Sequence, residues 1–220
     1  MRRAALILAT LALGVLPRVR AEPSAEPAVL ARYEVRRSGA AAEVLVVMRN
    51  GDRIEHRYEA RHTVEVWRRI GSDDVERLAL FPEAKRAVRY TGGDLRALGE
   101  PVDWPALSSL VGADERAQLT QVGTRKLRGE LATRLRGMLR GRPATLTWLP
   151  AQALPAALTL GSGREAVTLK LLDATPCTPE RCAPTEASDL KVIDFADLGD
   201  MTYDPFVQRF LRARGGGHAH

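Results

Sequence analysis

Few residues in this 220-residue chain have the types and spacing to do chemistry. The only two cysteines, Cys177 and Cys182, stand in the stretch PCTPERCAP, with prolines before, between and after them. Such a pair could hold a metal, cycle redox equivalents or form a disulfide. A zinc site needs two further ligands, which the neighbouring residues do not offer. A redox motif more usually has two intervening residues at a helix start. Among the four histidines, His56 and His62 are six residues apart. On one continuous strand that is roughly 20 Å, too far to share a metal whose bonds are about 2 Å. His218 and His220 lie two apart in the terminal GGGHAH and lack further ligands. Asp73 and Asp74 are adjacent carboxylates beside a glycine turn, which reads as a solvated pair. Gly161-Ser-Gly163 reads as a turn. The chain contains no G-x-S-x-G, no P-loop and no G-x-G-x-x-G. The expectation is a protein with no catalytic residue, no metal and no cofactor.

The compartment decides between the readings of the cysteines. The chain opens MRRAALILATLALGVLPRVRAEPSAEP: Arg2 and Arg3, an apolar run from Ala4 to Val15, then small residues at Val19 and Ala21. This is the layout of a secretory signal peptide with cleavage near Ala21. Twelve apolar residues span only about 18 Å of helix against a hydrocarbon core of roughly 30 Å, so a membrane anchor is disfavoured. No later segment is apolar for long enough to cross a bilayer, and no cysteine adjoins the cut. The chain is therefore read as periplasmic, where a close, even pair of cysteines forms a disulfide. Residues 1–21 also carry four arginines and no acid, so the formal charge of +6 falls to about +2, with 29 basic against 27 acidic residues. The remaining arginines alternate with glutamates, which reads as a mixed-charge solvated surface and not as a nucleic-acid patch.

The elements that position these residues are mostly strands. Ile54, His56, Tyr58 and Ala60 fall on one face of a run whose other face carries Arg53, Glu55, Arg57 and Glu59, predicting one dry and one wet side. It follows Glu43–Met48 across Asn50-Gly51-Asp52, where Asn-Gly suits a type I′ hairpin. Val64 and Val66, then Leu78 and Leu80, then Val88 and Tyr90 continue the alternation. Residues 101–110 (PVDWPALSSL) read as a short helix with Asp103 as N-cap and Pro105 in the first turn. Leu127, Gly129, Leu131, Thr133, Leu135, Gly137 and Leu139 occupy every second position, predicting one long strand with arginines along its wet side. Strands around Leu146 and Trp148, Leu154 to Leu160, and Val167 to Leu171 complete about ten in an antiparallel meander. Phe195 to Met201 reads as loop, and Asp204 to Leu211 as a short capped helix with proline at its first position.

The order of elements and the run GTRKLRGELATRLRG…GRPATLTWLPAQALPAALTL resemble the LolA/LolB-like superfamily of envelope proteins, through Gly129, Ala132, Trp148-Leu149-Pro150 and Leu154-Pro155. The resemblance covers about residues 31–174. It implies a mainly β fold: a strongly curved antiparallel half-barrel with a short covering helix, followed here by a C-terminal loop and helix tail. It also implies an apolar concave face that carries a lipoprotein acyl chain or senses envelope components. Two features depart from the carriers: their long N-terminal amphipathic helix is missing, and the region after Ala174 is peculiar to this chain. Residues that could line such a face are Trp67, Leu80, Trp104, Leu131, Leu135, Leu146 and Trp148; for a tryptophan in a small β domain, core packing is the stronger reading.

The resulting map is signal 1–21, flexible lead 22–30, half-barrel 31–174, a disulfide-clasped loop with tail helix 175–214, and a disordered end 215–220. The expected function is non-enzymatic binding of a lipid or acyl chain, or of an envelope protein partner, without nucleic acid. The alternatives are a periplasmic interaction or sensor module that docks a partner through the tail, and an accessory protein of a metal or redox system.

Overall fold

The computed structural model describes residues 26–71, 74–178 and 180–215. The expected signal segment, Asp73, His218 and His220 lie outside them. Within them the chain forms one sheet of twelve strands. The first six are β1 (Val29–Arg37), β2 (Glu43–Asn50), β3 (Arg53–Tyr58), β4 (Thr63–Ile70), β5 (Asp74–Phe81) and β6 (Arg86–Tyr90). Helices α1 (Gly92–Ala97), α2 (Trp104–Ser109) and α3 (Ala113–Ala117) follow. Then come β7 (Thr120–Leu127), β8 (Glu130–Leu139), β9 (Arg142–Leu149), β10 (Leu154–Leu160), β11 (Val167–Pro176), β12 (Lys191–Asp194) and α4 (Pro205–Gly215). No described helix is long and apolar enough to cross a membrane.

Spatial order is β12-β6-β5-β4-β3-β2-β1-β11-β10-β9-β8-β7, strongly curved and not closed into a barrel. Two meanders, β1–β6 and β7–β11, are therefore joined where β1 pairs with β11. The topology dictates where the helices go. β6 lies next to one edge and β7 forms the other, so residues 91–119 must cross the sheet between them. That crossing carries α1, α2 and α3. The side chain of Asp103 accepts the amide of Ala106 at 3.0 Å, the expected N-cap of α2. Arg49, buried at the end of β2, holds the crossing down by donating to the carbonyls of Ser108 (3.1 Å), Pro27 (2.8 Å), Ala153 (3.1 Å) and Gln152.

Four expectations need correction. The strand count is twelve, because β12 adds a parallel pairing to β6 while every other pairing is antiparallel. The single long strand through Leu139 is two strands. Arg128 (φ 52°) and Gly129 (φ 83°) form a two-residue turn between β7 and β8, and Leu127 pairs with Glu130. Alternation with period two runs through such a turn unbroken, which hid it. The turn after β2 has Gly51-Asp52 at its centre and not Asn50-Gly51, with positive φ at Gly51 (58°) alone of the two. Finally, the expected wet side of β3 is not wet: Glu55 has no exposed surface.

What buries Glu55 is the segment after the disulfide. Cys177 and Cys182 are bonded, with Cα atoms 5.5 Å apart. Beyond them, Thr185 donates to the Glu55 carboxylate from its amide (2.9 Å) and its hydroxyl (2.7 Å). Arg53 donates to Glu55 (2.7 Å) and to the Thr185 carbonyl (2.6 Å), and Arg57 donates to Glu55 (2.8 Å) and to the Ala183 carbonyl (3.3 Å). Ala187 and Leu190 then cover Val66, Leu78, Leu80 and Ala87 on the same side. Burial alone would raise the Glu55 pKa, but the Thr185 and arginine donors hold it below the usual carboxylate value.

Candidate binding cleft

The opposite face of β3–β6 carries the site. Register pairs Tyr58 with Thr63, His56 with Glu65 and Ile54 with Trp67, then Glu65 with Ala79 and Trp67 with Arg77, then Arg77 with Tyr90. Paired residues project to the same side, so these rows form one wall. Helix α4 forms the other. Its start is set by Asp204, whose side chain accepts the amides of Phe206 (2.7 Å) and Val207 (3.3 Å), with Pro205 at the first helical position. Phe206 and Phe210, one turn apart, both meet the Phe81 ring edge-on at 5.2 and 5.7 Å. Val207 and Phe206 are buried with Val88, Ile193 and Leu198. The tail thus lies over the face of the sheet that carries Ala79, Val88 and Tyr90.

Between these walls is a cleft of about 490 Å³. Its apolar lining is Tyr58, Val64, Ala79, Leu80, Phe81, Tyr90, Phe210 and Ala213, and its polar lining includes Arg61, Glu65, Arg77, Glu100 and Arg214. A second cleft of about 380 Å³ shares Tyr58 and Glu100 and continues beneath α2 past His56, Trp67, Val102 and Leu107. Arg77 and Arg214 clamp the shared boundary. Both donate to Glu100, at 3.0 and 2.6 Å, and both stand over the Tyr90 ring, at 3.9 and 5.4 Å. Arg214 also donates to the Tyr90 hydroxyl at 2.8 Å.

Burial governs the titrating groups here. It pushes the Tyr58 hydroxyl up to about 12, with the nearby Glu65 adding to the shift. It raises Tyr90 despite Arg77 and Arg214, and lowers His56 despite its Leu107 bond. At neutral pH both tyrosines are therefore un-ionised and His56 is neutral. His56 Nε2 lies 2.9 Å from the Leu107 carbonyl, so that nitrogen carries the proton. The indole N–H of Trp67 is buried with no hydrogen-bond partner among the described residues. No group of three His, Cys, Asp or Glu side chains among the described residues could hold a metal.

The lining residues named from sequence separate into distinct places. Trp67 lines the second cleft, and Trp104 packs against its cluster under the guanidinium of Arg69 (4.5 Å). Leu135, Leu146 and Trp148 come together in another cluster with Val111, Leu139 and Leu158, and Arg116 covers the Trp148 ring at 3.8 Å. Leu80 borders the first cleft and also packs with Val66 and Leu78 under the post-disulfide segment. Leu131 is 62% exposed at the start of β8. Sequence reasoning missed Arg77, Glu100, Phe210 and Arg214. Arg77 gave little signal, because it shares parity with Ala79 and Phe81 and not with Leu78 and Leu80, whose alternation marked the strand.

No protein-family model and no curated protein matches the chain. Solved structures do. An uncharacterized conserved protein from Thermus thermophilus is 14% identical, with TM-score 0.49, over 77% of this chain and 91% of that one. A putative outer membrane lipoprotein-sorting protein domain from Vibrio parahaemolyticus is 10% identical, with TM-score 0.32, over 69% and 86%. The LolA superfamily protein NE2245 from Nitrosomonas europaea is 9% identical, with TM-score 0.29, over 74% and 92%. Three further matches are longer proteins, of which this chain spans between 33% and 60%.

Proposed function

We infer that this chain is a non-enzymatic binding protein of the bacterial periplasm that holds a lipid acyl chain in the cleft between β3–β6 and α4. The observation that carries the reading is the cleft itself. A curved sheet too open for its own side chains to fill leaves about 490 Å³ between Ala79, Phe81, Tyr90 and Phe210. That volume is in the range of small-ligand pockets. Each methylene buried against such walls contributes about 0.8 kcal/mol. The charged pairs at the boundary, and the unpartnered Trp67 N–H, offer donors and acceptors to the polar end of the ligand. The periplasmic setting rests on the signal-like residues 1–21, the disulfide and the resemblance of residues 31–174.

The test is mass spectrometry of lipid extracted from purified protein, with titration by a fluorescent fatty acid. Ala213→Trp fills the cleft from an exposed helix position and is expected to abolish uptake while leaving the circular dichroism spectrum unchanged. Absence of both bound and displaceable lipid in the parent would sink the reading.

A further inference from the structure

We propose that the β7–β8 ribbon, with the adjoining surface of β9, is a docking surface for anionic lipid headgroups. This surface is separate from the acyl-chain cleft and does not depend on it. A concavity of about 680 Å³ there is lined by Val122, Arg125, Arg134, Arg136, Thr145 and Thr147, together with Leu135 and Leu146. Register pairs Arg134 with Thr147 and Arg136 with Thr145, which sets guanidiniums and hydroxyls side by side on one face. None of the lining residues is acidic.

Charge is what sets this region apart. Residues 120–139 contain Arg125, Lys126, Arg128, Arg134 and Arg136 against Glu130 alone, a net +4. Residues 22–220 as a whole carry only about +2, so the positive charge of the chain is concentrated here. Glu130 does not neutralise it, because its carboxylate accepts from the Ala151 amide (3.0 Å) and the Gln152 side chain (2.8 Å). Arg128 is spent on the carbonyls of Leu171 (3.2 Å) and Leu172 (2.7 Å). Among the described residues Arg125, Arg134 and Arg136 make no ion pair. Elsewhere Arg36, Arg61, Arg68, Arg77, Arg89 and Arg140 each meet a carboxylate within 3.0 Å.

Two further observations choose among polyanions. The ribbon exposes large apolar side chains, Val122 (53%), Leu131 (62%) and Met138 (55%), and Met138 shares its strand face with Arg134 and Arg136. Cations interleaved with exposed apolar groups fit a surface with phosphates above and hydrocarbon below. β7 is also a free sheet edge, but a bulge between Gln121 and Gly123 interrupts its ladder and disfavours an added peptide strand.

The experiment is co-sedimentation of the full chain with vesicles of phosphatidylcholine alone and of phosphatidylcholine with phosphatidylglycerol, in low and high salt. Binding is expected only to the anionic vesicles and is expected to weaken with salt. Each arginine lost from an anionic interface costs about fivefold in affinity, so Arg134→Gln with Arg136→Gln is expected to lose roughly 25-fold. Arg209→Gln with Arg212→Gln on α4 makes the same change in net charge and is expected to bind as the parent does. Val122→Ser with Met138→Ser is expected to weaken vesicle binding several-fold at unchanged charge. The proposal is overturned by equal binding to neutral vesicles, by equal losses in the two arginine pairs, or by binding to inorganic polyphosphate without binding to vesicles. Fatty-acid titration of Arg134→Gln/Arg136→Gln keeps the two readings apart: normal uptake with lost vesicle binding supports both, whereas absent uptake in the parent removes the cleft reading alone.

Discussion

The two meanders of this sheet treat arginine in opposite ways. On β3–β6, Arg53 and Arg57 meet Glu55, Arg68 meets Glu76, Arg77 meets Glu100 and Arg89 meets Asp194. On β7 and β8, Arg125, Arg134 and Arg136 have no carboxylate partner among the described residues. The difference follows from what covers each meander. Elements returning from beyond β11 cover both faces of β3–β6: the post-disulfide segment on one side, residues 195–201 and α4 on the other. A charge enclosed by returning chain must be neutralised where it stands. Nothing among the described residues returns over the outer face of β8 and β9, so water neutralises the charge there, and an external anion can do so too.

The largest expected effect comes from breaking the enclosed half. Glu55→Gln leaves Arg53 and Arg57 without their carboxylate and removes the acceptor for Thr185. Loss of one partner from a buried pair costs about 3–5 kcal/mol, and the partial exposure of the two arginines places this case at about 3. Urea denaturation measures it, and hydrogen exchange is expected to show residues 183–190 released while α4 stays protected. The same carboxylate gives a pH signature. Its folded pKa lies below the ordinary value, so its stabilisation is complete above that value and is lost as pH falls through the lower folded one. Below about pH 4.5 the parent is therefore expected to lose stability faster than Glu55→Gln.

A smaller effect is expected at the clasp. Cys177→Ser with Cys182→Ser opens a loop with a sequence separation of only five. The chain-entropy relation gives about 2 kcal/mol for so short a loop, and the denaturation midpoint measures the loss. Two free thiols in unreduced protein would contradict the bond itself. The smallest effect belongs to the open half. Arg134 is exposed and Arg134→Ala removes no ion pair among the described residues, so stability is expected to change by less than about 0.5 kcal/mol. A loss comparable to that of Glu55→Gln would mean that the two meanders do not differ as described.

Much of the fold was legible because local chemistry sets it. Asp103 before Trp104-Pro105 and Asp204 before Pro205 announced two helix starts, and both aspartates cap them. The alternation in β3–β6 and β9–β11 marked strands, since period two follows from the pleat alone. Less of the site was legible. Trp67 lines the second cleft, whereas Leu80 borders the first while its cluster packs on the opposite face with Val66 and Leu78. Parity separates the two residues, but only burial tells which parity is concave. Glu55 illustrates the same limit from the other side. A charged residue alternating with apolar ones reads as solvated unless a distant segment lands on it, and Thr185 stands 130 residues away.

The sequence by itself determined where most strands and the helices α2 and α4 begin, that two cysteines lie close enough to bond, and that cations collect between residues 120 and 139. These depend on neighbours within a few positions, where hydrogen bonding, chain geometry and composition act without reference to the rest of the molecule. Only the tertiary structure decided that the tail returns to cover the face of Ala79, Val88 and Tyr90, that β12 pairs in parallel with β6, and that Glu100 joins Arg77 to Arg214. Each of these is a contact between distant segments, selected by which apolar faces remain to be buried once the meanders have formed, and no local pattern encodes that choice.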